Sequence, residues 1–331
     1  MDLSLLLTDV PTLVVVIVGV PAVLGAYILG GEFLVRRLPD RARGSVRPWI
    51  WVAPALFFVT AFLVAPAIGT VFTSFQSHGG DWIGLTNYQR QLVDFPNGGA
   101  WIAIRNNLYW LVLYTLFVLF FGLLLAVLFD RVPYESVVKS LIFMPMAISA
   151  VALGVIWKFM FWYQPADAPQ TGTLNAIVVN VFHQAPKTWL TDPNVNNFAL
   201  IAAAIWGITG FSMVILSAAL KGIPADLLEA ARVDGAGEIT IFRRVIFPLM
   251  MPTVVVVGTT LVIFALKAFD IVYVMTAGNF GTDVLANRMY KLLYQADNPG
   301  GASAVAIILL LAVIPVLIFN LRQFRAVEAR R

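Results

Sequence analysis

The sequence contains no cysteine, only two histidines and few charged residues. The missing cysteines exclude disulfides, thiolate catalysis and cysteine-ligated metals. His78 and His183 are too few and too isolated to indicate a metal site. Charged residues make up 12% of the 331 residues, against about a quarter in soluble domains, whereas 60% of the residues are hydrophobic. The chain is therefore predicted to be an all-α integral membrane protein.

Seven apolar runs are long enough to cross a membrane as helices, which takes about 20 residues each. Prolines at 54 and 66 are expected to bend the second span without breaking it. The nine residues before the first span contain two aspartates and no basic residue, the reverse of a signal peptide, so we expect this span to be retained. The predicted spans cover residues 10–31, 49–75, 102–129, 140–163, 198–220, 249–276 and 301–321.

The basic residues predict how these spans are oriented. Of the 22 Lys and Arg residues, fifteen fall in segments on one side of the predicted spans and four on the other. Because cytoplasmic loops of membrane proteins are rich in Lys and Arg, the N-terminus is expected outside and the C-terminus inside. The net charge of +4 thus reports topology, and no nucleic-acid partner is expected. We divide the chain into residues 1–48, an extra span with a basic loop, and 49–331.

A polar island, residues 221–248, separates the fifth and sixth predicted spans. Pro224 suits the first position of a helix, and Asp226 suits its first turn, where a carboxylate complements the helix dipole. Gly235 and Gly237 interrupt the pattern, and Glu238 opens a second helix that is predicted to close at Arg243 and Arg244. Two short helices on the cytoplasmic side favour docking to a soluble partner. An amphipathic loop that merely lies at the membrane interface is the alternative.

The island resembles the EAA loop of bacterial ABC importer permeases, in which this segment is the coupling helix that seats in a cleft of the ATPase. The resemblance rests on a Glu-Ala-Ala triplet, a glycine four residues beyond it and a terminal Ile-Phe-Pro. Adjacent alanines would let a partner approach the helix backbone, and the glycine permits a turn with positive φ. We name residues 221–248 the coupling loop. Its expected contact residues are Glu229, Ala230, Ala231, Arg232, Asp234, Gly235 and Pro248.

Several other segments are similar to maltose-type carbohydrate permeases, from residue 49 to the tail. Residues 267–274, which read KAFDIVYV, resemble the end of the sixth span in that group, and residues 82–88, 172–175 and 301–304 match further segments. The group usually has Gly-Gly-Pro where this chain has Gly278-Asn279-Phe280. That variant, together with residues 140–149 and 284–290, is similar to the α-glucoside branch. The resemblance implies a type I importer permease for trehalose, maltose, sucrose or a related glucoside in a bacterial cytoplasmic membrane.

The energy source is expected on another polypeptide. A phosphate-binding loop reads G-x-x-x-x-G-K-[ST], and the two Lys-Ser or Lys-Thr pairs of this chain do not follow a glycine. The resemblance implies two ATPase subunits that bind ATP and Mg²⁺, a second related permease and an extracytoplasmic sugar-binding protein, with membrane lipid around the spans. No cofactor is expected in this chain, which would be a non-catalytic subunit.

The resemblance also implies a sugar path between spans five and six. On span five it places Ala204, Gly207, Ile208 and Phe211, and on span six Phe264 and Ala268; ordinary helix packing explains each single residue about equally well. Lys267 and Asp270 are three residues apart and are expected to form an ion pair or an outer gate.

Two other classes of function remain as alternatives. An ion-coupled secondary transporter predicts acidic residues buried in mid-span and two related halves, and the sequence shows neither. An enzyme acting on lipids would need a polar catalytic cluster at the interface, and none is apparent.

Overall fold

The computed structural model of the protein describes residues 15–93, 99–130 and 132–328. Within these ranges the chain is almost entirely helical and contains no strand, only one antiparallel bridge between Gln76 and Trp82. The all-helical prediction is confirmed. Parts of three predictions lie outside the described residues: residues 10–14 of the first span, Arg131 of an inner loop, and residues 329–331 of the tail.

The fold has two compact units, which meet in sequence at Gly69 and Thr70. The first unit contains a π-helical turn at Val15–Gly19, then α1 (Val20–Arg37), α2 (Asp40–Val59) and a second π-helical turn at Thr60–Val64. Helix α3 (Ala65–Thr73) begins in this unit and completes the second span. The predicted division after residue 48 falls inside α2.

The basic segment 36–47 was predicted as a loop, and that prediction is wrong. Only Leu38 and Pro39 separate α1 from α2. Leu38 is extended, with ψ of 149°, because the residue before a proline is disfavoured in the helical region. Helical arginines in this segment pair instead with acidic neighbours: Arg47 lies 3.1 Å from Glu32 and Arg43 lies 2.7 Å from Asp40.

The second unit contains the remaining helices, which form one bundle with short helices at its ends. In chain order they are α4 (Thr86–Leu92), α5 (Gly99–Tyr109), α6 (Thr115–Leu128), α7 (Glu135–Phe143), α8 (Ala150–Met160), α9 (Thr173–Asn180), α10 (Asn196–Lys221), α11 (Ala225–Val233), α12 (Glu238–Ile241), α13 (Phe247–Leu266), α14 (Asp270–Thr276), α15 (Leu285–Tyr294) and α16 (Pro299–Glu328). A π-helical turn at Trp110–Tyr114 joins α5 to α6, and another at Phe242–Ile246 joins α12 to α13.

Six helices among the described residues are long and apolar enough to cross a membrane, and a bent pair makes a seventh span if it is counted as one. The bent pair corrects the predicted fourth span, residues 140–163, which is not one helix. Its halves, Glu135–Ala147 and Ala150–Met160, meet at 99°. Ile148 and Ser149 are extended after the tight turn at Pro145, and the Ser149 hydroxyl caps α8 by accepting from Ala152 N at 3.2 Å.

Two further span boundaries differ from the prediction. The sixth span is Glu238–Leu266, so it starts earlier than residue 249 and ends ten residues before Thr276. Residues 267–269 are not helical, and α14 is a separate short helix. The last helix, α16, continues to Glu328, but its candidate span is Pro299–Phe319, within two residues of the predicted 301–321.

Helix α10 is the centre of the second unit. It spans about 39 Å at 1.5 Å per residue, and 15 of its 26 residues are buried. Small residues let neighbouring helices approach its backbone closely, as expected for helices packed in lipid. A Cβ on Gly210 would lie 2.5 Å from the carbonyl oxygen of Ile142, and a Cβ on Gly122 of α6 would lie 2.6 Å from Ser212 Cβ.

Buried asparagines fix the end of the bundle opposite the coupling loop, which we call the far end. Asn106 Nδ2 donates to the carbonyl oxygens of Gly281 and Asp283, both at 2.7 Å. Asn107 Oδ1 accepts from Leu285 N at 2.8 Å, and Asn196 Nδ2 donates to Phe280 O at 2.8 Å. These bonds satisfy backbone groups of the segment between α14 and α15, which would otherwise be buried without partners.

We predict that Gly210→Ala destabilises the second unit. The new methyl group would overlap the backbone of residues 142 and 143, and such overpacking costs about 1–3 kcal/mol. Gly258→Ala is the matched control, because its Cβ would meet only the end of the Leu119 side chain, at 3.4 Å. The midpoint of thermal unfolding in detergent should fall for Gly210→Ala and not for Gly258→Ala. Equal midpoints for the two variants would contradict the close packing at Gly210.

Candidate functional site

The coupling loop contains the short helix α11 and, after a turn at Gly235, the helical segment α12, so both predicted helix starts are present. Asp226 lies in the first turn of α11. Pro224 is the residue before the helix, with ψ of 131°, and not its first helical residue. Gly235 has φ of +77°, a left-handed conformation that costs other residues roughly 1–2 kcal/mol. The predicted positive-φ turn is therefore confirmed.

Two backbone bonds around this glycine close the end of α11. Ala236 N donates to Ala231 O and Gly235 N donates to Arg232 O, both at 3.0 Å. This pattern is a Schellman motif, which satisfies the last carbonyls of a helix and needs a left-handed residue at the turn. The angle between α11 and α12 thus depends on a glycine at 235.

The side chains of the coupling loop make few contacts with the rest of the chain. Arg232 joins the two helices: its Nε donates to Glu238 Oε1 at 2.8 Å. This hydrogen bond raises the pKa of Arg232, and the nearby negative charge of Glu238 acts in the same direction. Glu229, Ala230 and Asp234 are exposed, and Ala231 is half-buried. The predicted contact residues are therefore accessible, and their role in docking stays a prediction.

Large apolar side chains are also exposed on this polar loop. Val233 is 87% exposed and Ile239 is 78% exposed, one on each of the two short helices. Leu228 is the buried residue of α11. Exposed apolar residues next to charged ones form a surface of the kind that partners cover.

The end of the coupling loop differs from the prediction. The second helix does not close at Arg243 and Arg244, because α12 continues through the π-helical turn into α13. In that turn Phe247 N donates to Phe242 O, and Pro248 follows as the second residue of α13. Proline has no N–H to donate, so the wider turn accommodates it without a break. Residues Glu238–Leu266 are one helix.

A partly exposed charge network lies where the coupling loop joins the bundle. Glu135 Oε1, at the start of α7, accepts from Lys221 Nζ at 2.6 Å and also from Lys139 Nζ. Lys139 also donates to Ser217 of α10. This network is not among the predicted sites, although Glu135 and Lys139 have the i, i+4 spacing that favours pairing on a helix. The network ties the first turn of α7 to the last turn of α10.

A cavity of about 390 Å³ lies between the bundle helices. Five of the predicted path residues line it: Ala204, Gly207, Ile208, Phe264 and Ala268. Phe211 does not line it, but its ring lies 6.3 Å from the ring of Phe264. The structure thus brings the predicted residues of spans five and six together around one space, which we call the α10–α13 cavity. That they form a sugar path stays a prediction.

Lys267 and Asp270 line the same cavity. Among the described residues, no ion pair within 4.0 Å joins the Lys267 and Asp270 side chains, so the predicted ion pair does not form. The i, i+3 spacing does not place the two side chains on one helix face, because the helix is interrupted at residues 267–269. A gating role for the two residues stays a prediction.

Several other residues that line the cavity are not among the predicted ones. Trp110 and Tyr114 enter from the π-helical turn between α5 and α6, and Pro145 and Ile148 enter from the bend before α8. Pro145 in the middle of an apolar run was the one signal that could have revealed the bend. In the part of the chain that the structure describes, no cluster of three or more His, Asp or Glu residues could hold a metal ion.

Comparison with known families gives one match that covers most of the second unit. Residues 118–329 match the family described as binding-protein-dependent transport system inner membrane component. The chain is 51% identical over 283 residues to the osmoprotective compounds uptake permease protein GgtC of Synechocystis sp., covering 85% of this chain and 100% of that protein. It is 43% identical over 285 residues to the alpha-glucoside transport system permease protein AglF of Rhizobium meliloti, covering 86% of this chain and 84% of AglF.

A solved structure has the same arrangement of helices. A chain of the crystal structure of a bacterial ABC transporter involved in the import of the acidic polysaccharide alginate superposes with a TM-score of 0.73. The two chains are 25% identical, and the superposition covers 86% of this chain and 99% of the other. The fold is therefore that of a type I ABC importer permease.

We predict that Glu135→Gln lowers the midpoint of thermal unfolding. The substitution removes the charge that two lysines share and leaves Lys139 and Lys221 facing each other. The loss should shrink in high salt, because salt screens the remaining repulsion. Asp226→Asn is the matched control, since Asp226 is exposed and forms no ion pair among the described residues. A midpoint that is unchanged in Glu135→Gln, or that falls equally in both variants, would show that the network is not structural.

Proposed function

The chain belongs to the family of binding-protein-dependent transport system inner membrane components and is a permease subunit of an ABC sugar importer, and from that membership we propose that it conducts α-glucosides. The subunit is a multi-pass membrane protein and not an enzyme. We place it in a bacterial cytoplasmic membrane with its N-terminus outside and the coupling loop and C-terminus inside. The basic residues support this orientation.

One observation carries the proposal: a single helix, Glu238–Leu266, joins the exposed surface of the coupling loop to the α10–α13 cavity. Ile239, near one end, is 78% exposed, and Phe264, near the other end, lines the cavity. The two residues are about 38 Å apart along the helix at 1.5 Å per residue. A force applied to α12 by a docked subunit would therefore reach the cavity wall without crossing a flexible joint.

The docked subunit is an ATPase in this proposal. The chain lacks a phosphate-binding loop of the G-x-x-x-x-G-K-[ST] type, so ATP and Mg²⁺ would be held by the partner. Two ATPase copies would close on ATP and draw together the coupling loops of this chain and a second, related permease. The spans would then open toward the sugar-binding protein outside, and ATP hydrolysis would return them to the inward-open state.

The walls of the α10–α13 cavity have the chemistry that a sugar requires. Aromatic side chains of Trp110, Tyr114 and Phe264 can stack on the apolar faces of sugar rings. The Trp110 indole N–H is a buried donor without a hydrogen-bond partner in the described structure. Lys267 and Asp270 can bind hydroxyl groups. The volume of about 390 Å³ lies within the range of about 300–1,000 Å³ that is common for small-molecule sites.

The choice of α-glucosides rests on the relatives and on the resemblance of residues 284–290 to the α-glucoside branch. AglF, at 43% identity, is named for alpha-glucoside transport. Uptake of radiolabelled maltose, trehalose and sucrose by cells that express the complete transporter tests this choice. Uptake of none of the three would overturn it.

We predict that Gly235→Val uncouples ATP hydrolysis from transport. A β-branched residue with positive φ strains the turn by about 1–2 kcal/mol, so sugar-stimulated ATPase activity should fall roughly 5–30-fold. Gly237→Val is the matched control, because Gly237 has φ of −69° and, like Gly235, open space around its Cβ position. Both variants should insert in the membrane in the same amount as the wild-type protein.

Co-elution of the ATPase with the permease gives the second readout of this experiment. The ATPase should be depleted from Gly235→Val preparations and retained with Gly237→Val. If the Gly235→Val variant takes up sugar at the same rate as the wild-type protein, the turn has no coupling role.

We further predict that Ala204→Trp blocks maltose uptake while the ATPase still co-elutes. Ala204 is buried and lines the cavity, so the indole would fill the space in which the sugar is expected. Ala202→Trp is the control on the exposed side of the same helix. If Ala204→Trp transports maltose at the natural rate, the α10–α13 cavity is not on the sugar path.

A further inference from the structure

A second cavity, of about 480 Å³, opens at the far end of the bundle. It lies between the last turn of α8, the segment before α10, and the last turn of α14 with the residues that follow. We call it the far-end cavity. None of the residues in the predicted sugar path lines it, and neither Lys267 nor Asp270 does.

Aromatic side chains form much of its wall and remain accessible. Trp162 is 44% exposed, Tyr163 is 42% exposed and Phe280 is 52% exposed. Tyr273 stands beside them on α14. Rings of this kind cover the apolar face of a pyranose, and the tyrosine hydroxyls also offer hydrogen bonds.

Polar groups without hydrogen-bond partners in the described structure also line the cavity. The side-chain hydroxyls of Thr188 and Thr191 and the amide of Asn279 line the cavity and have no hydrogen-bond partner within the described residues. Lys158 Nζ donates to Val274 O at 3.3 Å, which leaves two of its three N–H donors free. Apolar rings with interspersed donors and acceptors fit a polyhydroxylated ring better than they fit a lipid chain, which would leave the polar groups unpaired.

The cavity walls are held in place by buried hydrogen bonds. Asn175, which is fully buried, donates to Trp162 O at 3.1 Å and to Lys187 O at 3.0 Å, and its Oδ1 accepts from Trp189 Nε1 at 3.0 Å. On the opposite wall Asn196 fixes the carbonyl of Phe280. A site with supported walls loses little entropy when it binds a ligand.

Helix α14 connects the two cavities. Asp270 and Ile271 at its start line the α10–α13 cavity, and Tyr273 and Val274 line the far-end cavity. The helix has seven residues and is about 10 Å long. A sugar in the far-end cavity would therefore lie within about one sugar length of the path already proposed.

We propose that the far-end cavity is a second carbohydrate site, which binds a glucopyranoside before it enters the α10–α13 cavity. This inference rests on the proposed function as a sugar permease. Aromatic stacking on Trp162 and Tyr163 would hold the ring, and Thr188 and Asn279 would bind its hydroxyl groups.

The absence of cysteine from the chain allows a direct test. Thr188→Cys and Asn279→Cys are introduced separately, and the complete transporter in lipid nanodiscs is labelled with a hydrophilic maleimide. Maltose at about ten times its Kd should slow labelling of both cysteines about tenfold, because only the unoccupied fraction reacts. Gln295→Cys, exposed and outside the cavity, is the control and should be labelled at the same rate with and without maltose. Mannitol at equal osmolarity should protect none of the three.

Two additional arms separate this site from the proposed function. Protection of Thr188→Cys should persist when Ala204→Trp fills the α10–α13 cavity, and loss of protection there would assign the effect to that cavity and overturn the far-end site. A second outcome is that maltose changes the labelling of neither cavity cysteine, although the wild-type protein transports maltose. That outcome would overturn the far-end site and leave the proposed function intact. Failure of the natural chain to transport maltose, trehalose or sucrose would overturn both.

Discussion

The continuity of the helix Glu238–Leu266 is the constraint on which the rest of the structure depends. A loop between α12 and α13 would absorb any motion of a docked subunit, whereas a hydrogen-bonded helix transmits it. The π-helical turn before Pro248 preserves this continuity, because the residues on both sides of it belong to one helix although proline donates no N–H. The chain changes direction at Gly235, where the backbone is left-handed and two hydrogen bonds close the end of α11. The network of Glu135 with Lys139 and Lys221 fixes the last turn of α10, from which the coupling loop starts, to α7.

The interruptions of the other helices explain where the α10–α13 cavity can form. The bundle would pack without a space if the predicted fourth and sixth spans were both straight rods. The bend at Ile148 and Ser149 turns α8 away from α7, and the break at residues 267–269 separates α14 from α13. Both interruptions contribute lining residues to the cavity. In lipid such non-helical backbone is tolerated only where it is buried in protein or lines a water-filled cavity. The position of the two breaks at the wall of the cavity agrees with this rule.

Sequence reasoning succeeded where one residue or one period determines the local structure. The glycine at position 235 predicts a left-handed turn there. The apolar run of residues 198–220 predicts α10 to within two residues at each end. It failed where the outcome depends on distant partners. Pro145 and Pro248 are both prolines in apolar helices, yet one accompanies a 99° bend and the other lies in a continuous helix. The difference arises from packing against α10 and from a π-helical turn, and neither is visible in a single apolar run.

Buried polar residues fix the backbone at the far end of the bundle. Asn106, Asn107 and Asn196 are buried and bind main-chain groups of the segment before α15, while Asn175 does the same for the segment before α10. A buried amide of this kind is costly to separate from its partners, since each group would lose its hydrogen bonds in a place that water does not reach. The far end should therefore hold its shape if α13 moves. The α10–α13 cavity lies where the end of α13 meets this fixed backbone, so in the proposed mechanism a tilt of α13 would change the width of the cavity.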